Sequence, residues 1–269
     1  MDLVTKLRYQ GYTSTPPLWE GDTLSPFKQI ELTSNSENID DAQVFKSQRL
    51  GKLVEAFVFH ELKQQDAVSW ICDNLQIQKG QRTVGEIDAL YDDGESPVHL
   101  EVAYKFYLYD TIANYKEPLG YWIGPNRKDS LFYKLDKLHN KQFPLLHHEL
   151  TKPYLDSYHL AIKDIKQQLC FKAQLFLPYH NRNMDIRPLN SDCIAGFYIS
   201  FHQIALFEKF EFFIPEKLDW LVIPHHDVDW ISYPSALAII ETAINNQRSP
   251  LVWIKDSDDK LSKCFIAYW

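Results

Sequence analysis

Val84-Gly85-Glu86-Ile87-Asp88-Ala89-Leu90 and, across a short polar gap, His99-Leu100-Glu101-Val102-Ala103-Tyr104-Lys105 decide how this chain is read. Both stretches have the composition and alternation of β-strands. Glu86 and Asp88 therefore share one face of the first strand, and Glu101, Ala103 and Lys105 share one face of the next. The intervening Asp92-Asp93-Gly94-Glu95-Ser96-Pro97 reads as a hairpin loop, since Asp-Gly accepts the positive φ of a tight turn and Pro97 ends pairing. Such a hairpin is expected to bring Asp88 and Glu101 together as joint ligands of one hard divalent cation, the arrangement a metal-dependent nuclease centre requires. Alternating acids also occur on the wet side of ordinary hairpins. Here Ile87, Ala89, Leu100, Val102 and Phe106 supply a core face, while the acid face also carries Leu90 and Ala103, which a fully solvated surface does not need. The acid face is therefore expected to line a cleft.

The wider composition bounds the reading without choosing a substrate. With 269 residues, 45% of them hydrophobic and 14% aromatic, the chain can bury a substantial core. The amino terminus lacks a basic segment leading into an apolar run, and no stretch approaches the roughly 20 apolar residues that span a bilayer. A cytoplasmic location with no membrane partner is expected. Cys72, Cys170, Cys193 and Cys264 lie far apart, which excludes a Cys-x-x-Cys zinc ribbon or redox dithiol. A net charge of -8 argues against indiscriminate adhesion to nucleic acid but permits a local basic groove.

Outward from the hairpin, residues 1–40 read as an irregular N-terminal arm. Residues 41–180 form the core, and residues 181–269 an aromatic-rich α+β lobe packed on it. Leu50, Leu53, Val54, Phe57, Val58 and Leu62 recur at spacings of three and four, predicting a helix from about Asp41 to Leu62. Glu55 flanks that stripe one turn beyond Gly51, where a solvated residue is the ordinary expectation; Glu61 lies nearer its centre and needs a partner if buried. Strands are expected at Leu75–Gln78, Thr83–Tyr91 and Val98–Leu108. A helix capped by Asp129 or Ser130 follows, through His139, and then a helical stretch Asp156–Lys172 leads into a strand Ala173–Leu177. The lobe is expected to contain strands at Gly196–His202, Glu211–Ile214, Trp220–Ile223, Leu251–Lys255 and Lys263–Trp269, with a helix over Pro234–Asn246.

A helix carrying an acid, a strand with Gly85-Glu86-Ile87-Asp88 and a strand with Glu101 and a lysine resemble the PD-(D/E)XK, or restriction-endonuclease-like, nuclease superfamily. More closely, Leu50-Gly51 with Glu55, Leu75-Gln76, Glu101-Val102-Ala103-Tyr104-Lys105-Phe106-Tyr107-Leu108, Trp122-Ile123-Gly124-Pro125-Asn126, Asp129-Ser130-Leu131 and Gln142-Phe143-Pro144-Leu145 resemble a family of bacterial proteins, the domain of unknown function 1853 family. The resemblance is strongest over roughly residues 45–180. It implies an α/β fold with a restriction-endonuclease-like core: helix, three strands, helix, strand, in a mixed central sheet flanked by helices. It also implies Asp88 and Glu101 as first and second motif acids and Glu55 as the added helix acid. The chain departs from the pattern at the lysine. The superfamily places it two residues after the second acid, where Ala103 stands. Lys105 lies on the same face, with its α-carbon roughly 13 Å from that of Glu101.

On this reading Asp88 and Glu101 hold Mg²⁺ or Mn²⁺, Lys105 stabilises the attacking water or the phosphate, and Glu55 or Glu86 positions a second cation or water. The reaction is phosphodiester hydrolysis in DNA or RNA. Arg127, Lys128, Lys134, Lys137 and Lys141 form a basic stretch for the substrate, with Tyr121, Trp122, Phe132 and Tyr133 available to stack bases and Gln142 as a polar site residue. Two other classes stay open: a non-cutting nucleic-acid-binding module on the same scaffold, and a protein-interaction unit carried by the aromatic lobe. His147-His148 and His225-His226 lack the helical spacing of a zinc hydrolase. No Gly-x-Ser-x-Gly elbow or phosphate-binding glycine loop is present.

Overall fold

The computed structural model describes residues 2–21, 23–30, 32 and 49–269. Its elements in chain order are α1 (Leu3–Thr13), β1 (Lys28–Gln29), α2 (Leu50–Lys63), β2 (Ser69–Lys79), β3 (Arg82–Asp92), β4 (Pro97–Tyr109), β5 (Trp122–Ile123), α3 (Leu131–Lys137), α4 (Lys152–Ser157), β6 (Lys166–Pro178), β7 (Ile194–Ser200), β8 (Glu211–Phe213), β9 (Ile231–Ser232), α5 (Tyr233–Asn245), β10 (Leu251–Lys255) and β11 (Leu261–Ala267). The strands form one mixed sheet in the order β2-β3-β4-β6-β7-β11-β10-β8-β9, with β1 beside β6 and β5 beside β4. Among the described residues, no helix is long and apolar enough to cross a membrane.

Turn chemistry builds β2, β3 and β4 as a meander. Gly80 and Gly94 take positive φ at the two reversals. In the second reversal the Asp92 side chain accepts from the Gly94 N–H, and Asp93 accepts from the Glu95 and Ser96 N–H groups. β4 then pairs in parallel with β6 from Val98↔Lys166 to Leu108↔Phe176. This pairing buries β4 on both faces. On one side Val102, Tyr104 and Phe106 meet Leu53, Val54, Phe57 and Val58 of α2 together with Tyr9 and Tyr12 of α1. On the other, Ala103 and Tyr107 meet Leu131 and Leu135 of α3 and Phe143. The acid-bearing face is thus also packed, with Leu90 against Leu145 and Leu146.

Three local expectations are overturned. The helical stretch expected over Asp156–Lys172 is α-helical only at the end of α4, with a single 3-10 turn at Ile162–Asp164, and Lys166–Pro178 is a strand. Its inward residues alternate, Leu169, Phe171, Ala173, Leu175 and Leu177 on one side and Cys170 and Phe176 on the other. A strand buried on both faces reads as a continuous apolar run, which periodicity alone does not separate from a helix. The strand expected at Trp220–Ile223 is a 3-10 turn, Lys217–Leu221. There the Trp220 carbonyl accepts from the buried Lys263 ammonium at 2.7 Å instead of joining a ladder.

The expected irregular arm contains α1, capped by the Asp2 side chain on the Thr5 N–H at 2.9 Å. Its Gly11 lies so close to the Leu221 carbonyl that a β-carbon there would overlap it. The polar tract Thr33–Asp41 and the first residues of the helix expected from Asp41 lie outside the described residues, and α2 is described from Leu50. The sheet runs without a break across the boundary expected near residue 180, because β7 pairs in parallel with β6.

Candidate active site

The β3–β4 ladder runs from Asp92↔Pro97 to Ala89↔Leu100 and stops there. The next residue of each strand is an acid. In place of a backbone partner, the Val102 N–H donates to Asp88 Oδ2 at 2.9 Å, so the strands diverge around that carboxylate. Glu86 lies two residues back on the same face, and Glu55 reaches the gap from α2, where it flanks the buried stripe Leu50, Leu53, Val54 and Phe57. One carboxylate oxygen from each of Glu55, Glu86 and Asp88 lies within 4.8 Å of the others. Lys52 stands over the trio, its Nζ 2.6 Å from Glu55 Oε2 and 2.6 Å from Glu86 Oε1. Three clustered hard oxygen donors of this kind could hold Mg²⁺ or Mn²⁺.

Burial and mutual repulsion govern the protons of these acids. Burial pushes Glu55 up to about 7, with the Asp88 and Glu86 charges adding to it and Lys52 opposing. Asp88 rises to about 7, first through burial and then through the Glu101 charge, against the Val102 N–H. Glu101 is fully buried and lies well above the usual carboxylate range for the same reason, despite Lys134 and a hydrogen bond from Asp88. Each of Asp88 and Glu101 therefore resists ionisation.

Both oxygens of Glu101 have fixed partners. Gln167 Nε2 lies 3.0 Å from His99 Nδ1 while donating to the Phe143 carbonyl. An amide nitrogen only donates, so His99 Nδ1 accepts, and its Nε2–H donates to Glu101 Oε1 at 3.0 Å. Burial lowers the His99 pKa to about 4, so the ring is neutral. Glu101 Oε2 accepts from the Gln142 side-chain amide. Gln142 closes a π-helical turn, Leu138–Gln142, that continues α3. Its Oε1 accepts from Lys134 Nζ at 2.8 Å. Burial pulls the Lys134 pKa down to about 8, opposed by the charges of Glu101 and Asp88.

Of the residues expected to form the site, the fold brings Asp88 beside Glu101 and adds Glu55, Lys134 and Gln142. The joint ligand pair expected from Asp88 and Glu101 is not what the donor geometry favours. Asp88 groups with Glu55 and Glu86, while the oxygens of Glu101 are held by His99 and Gln142. Lys105 points elsewhere, donating to Asp129 Oδ2 at 2.5 Å. Arg127 is also a scaffold residue: it donates to Asp110 Oδ2 at 2.6 Å and lies over the Trp269 ring at 4.6 Å. Tyr121 stacks on Tyr109 and Trp122 is buried. Lys52, His99 and Gln167 were not anticipated. His99 carried a usable signal, two residues before Glu101 on the same strand face. Gln167 carried none, because its contact depends on the β4–β6 register.

Beside the acids lies a cavity of about 570 Å³ whose wall includes Arg49, Lys105, Lys128, Lys134 and Lys217. It also takes in Gly51, one turn before Glu55, and Val102, the residue bonded to Asp88. A basic hollow thus adjoins an acidic trio.

The fold is that of a mixed α/β protein with a large sheet flanked by helices. The model of a family described as a domain of unknown function (DUF1853) matches residues 13–263, and the chain belongs to that family. No curated protein and no solved structure matches the chain.

Proposed function

We propose that this protein is a bacterial Mg²⁺- or Mn²⁺-dependent nuclease that hydrolyses phosphodiester bonds in DNA or RNA on a restriction-endonuclease-like core. The observation that carries this reading is the cluster of Glu55, Glu86 and Asp88, with a basic hollow beside it whose wall includes Lys134 and the Asp88-bonded Val102. Glu55, Glu86 and Asp88 would hold the cation, which supplies Lewis-acid activation of water and neutralises phosphate charge. Lys134, held by Gln142 near the acids, brings positive charge to the transferring phosphate in a low-dielectric setting. It stands where the shifted Lys105 does not reach. Neutral His99 orients Glu101 and keeps one of its oxygens hydrogen-bonded. Lys128 and Lys217 give the hollow the charge to bind phosphates along the strand.

The pairing of Lys105 with Asp129 favours a second reading, a nucleic-acid-binding module that does not cut. An assay of single-stranded, double-stranded and branched DNA and RNA with Mn²⁺ separates the two. Metal-dependent cutting that Asp88→Ala and Glu101→Ala abolish supports the nuclease. Binding without cutting by the native chain supports the module, and neither activity refutes both.

A further inference from the structure

A second cavity, of about 520 Å³, adjoins the basic hollow, and Lys128 and Asp129 line both. Its wall carries the rings of Tyr115, Phe132 and Tyr133. Phe132 and Tyr133 are 41% and 68% exposed, large apolar rings that the core does not use. Tyr115 is braced. Its hydroxyl donates to Asp110 Oδ2 at 2.6 Å, Arg127 donates to that hydroxyl at 3.3 Å, and its β-carbon packs on the bare α-carbon of Gly120. The Ser130 cap and α3 set the position of Phe132 and Tyr133, with Ser130 Oγ accepting from the Tyr133 N–H at 3.2 Å. The cavity thus presents aromatic surface on a fixed frame, with volume for a nucleotide-sized guest.

Resting on the nuclease reading, we propose that this aromatic cavity takes an unpaired nucleobase, so that the substrate is single-stranded beside the phosphate held in the basic hollow. Aromatic side chains next to a positively charged groove are how sequence-tolerant single-strand sites are built, because every base has a face to stack. A base within a duplex has its faces covered by neighbours and its edge paired, and enters such a cavity only after unstacking. A peptide partner would not explain why the aromatic wall continues into Lys128 and the basic hollow. Occupancy by a base gives both halves one ligand.

The test uses the full chain in Ca²⁺ buffer, with short DNA and RNA oligonucleotides carrying 2-aminopurine at successive positions, their duplexes, and a single strand with an abasic position. The native protein is expected to quench 2-aminopurine in the single strand and to bind the abasic strand more weakly. Phe132→Ala and Tyr133→Ala are each expected to weaken single-strand binding about tenfold. They should abolish the quench while leaving duplex binding and the melting temperature unchanged. If those variants bind like the native chain while Lys128→Ala and Lys134→Ala weaken single strands and duplexes alike, the nucleic-acid reading stands and the base cavity is refuted. If the native chain binds no nucleic acid, both fall.

Discussion

Replacing Asp88 by Asn sets stability against function in a way that depends on pH. The buried Asp88 carboxyl is raised from near 4 to about 7 by burial and by Glu101. A carboxyl that holds its proton more tightly when folded makes the folded state bind more protons than the unfolded one between pH 4 and 7. The ion-free protein therefore loses stability as pH rises through that window and stays at the lower level above 7. The displacement corresponds to about 4 kcal/mol at pH 8. Asn keeps an oxygen for the Val102 N–H and carries no charge. Because the amide must itself be desolvated, about 2 kcal/mol of that penalty is expected to be relieved at pH 8 and almost none at pH 5. Denaturant unfolding in chelator at the two pH values measures it. Mn²⁺ should reverse the order at pH 8, since a ligand that binds only the folded state stabilises the native chain by an amount that grows with the logarithm of its affinity. Equal destabilisation of Asp88→Asn at pH 5 and 8 would refute the electrostatic argument. An undiminished Mn²⁺ response in the variant would refute the assignment of Asp88 to the cation.

Mn²⁺ affinity of the native chain should rise about 100-fold from pH 6 to pH 8, since Glu55 and Asp88, both at about 7, must each lose a proton, and calorimetry in buffers of different ionisation enthalpy should count their release. At pH 8.5 Lys52→Met should strengthen Mn²⁺ binding about two- to fivefold, the range of a partly exposed ion pair, because its ammonium competes for Glu55 and Glu86; a weaker complex would show that Lys52 supports the centre. Lys134→Met should lower cleavage at least tenfold while Lys105→Met changes it less than threefold, and the opposite order in turnover would restore the strand lysine to the role. His99→Leu should cost about 1–3 kcal/mol of stability by leaving Glu101 Oε1 without its donor, and should move the acid limb of Mn²⁺-dependent cleavage to higher pH, because the Glu101 carboxylate loses a hydrogen bond; an unmoved limb would make His99 purely a packing residue.

Much of the frame was written in local patterns. Alternation and the Asp-Gly turn located β3 and β4, the three-four spacing located the described part of α2, and Asp129 or Ser130 marked the start of α3, of which Ser130 is the cap. Residues such as Lys166–Lys172 misled because burial on both faces hides the period of a strand. Lys105 and Lys134 make the same point at the site: both are lysines at element positions that suit the acids, yet Asp129 draws one away and Gln142 holds the other near.

By itself, the order of residues determined that Glu86 and Asp88 share a strand face and that Glu101 follows on the neighbouring strand, because side-chain direction in a strand alternates with every residue. Only the tertiary structure decided that β3 and β4 part at Asp88, that α2 brings Glu55 into the opening, and that Gln167 fixes the tautomer of the histidine behind Glu101. Those choices depend on contacts between residues far apart in the chain, where packing and the β4–β6 register set the distances and no local spacing encodes them.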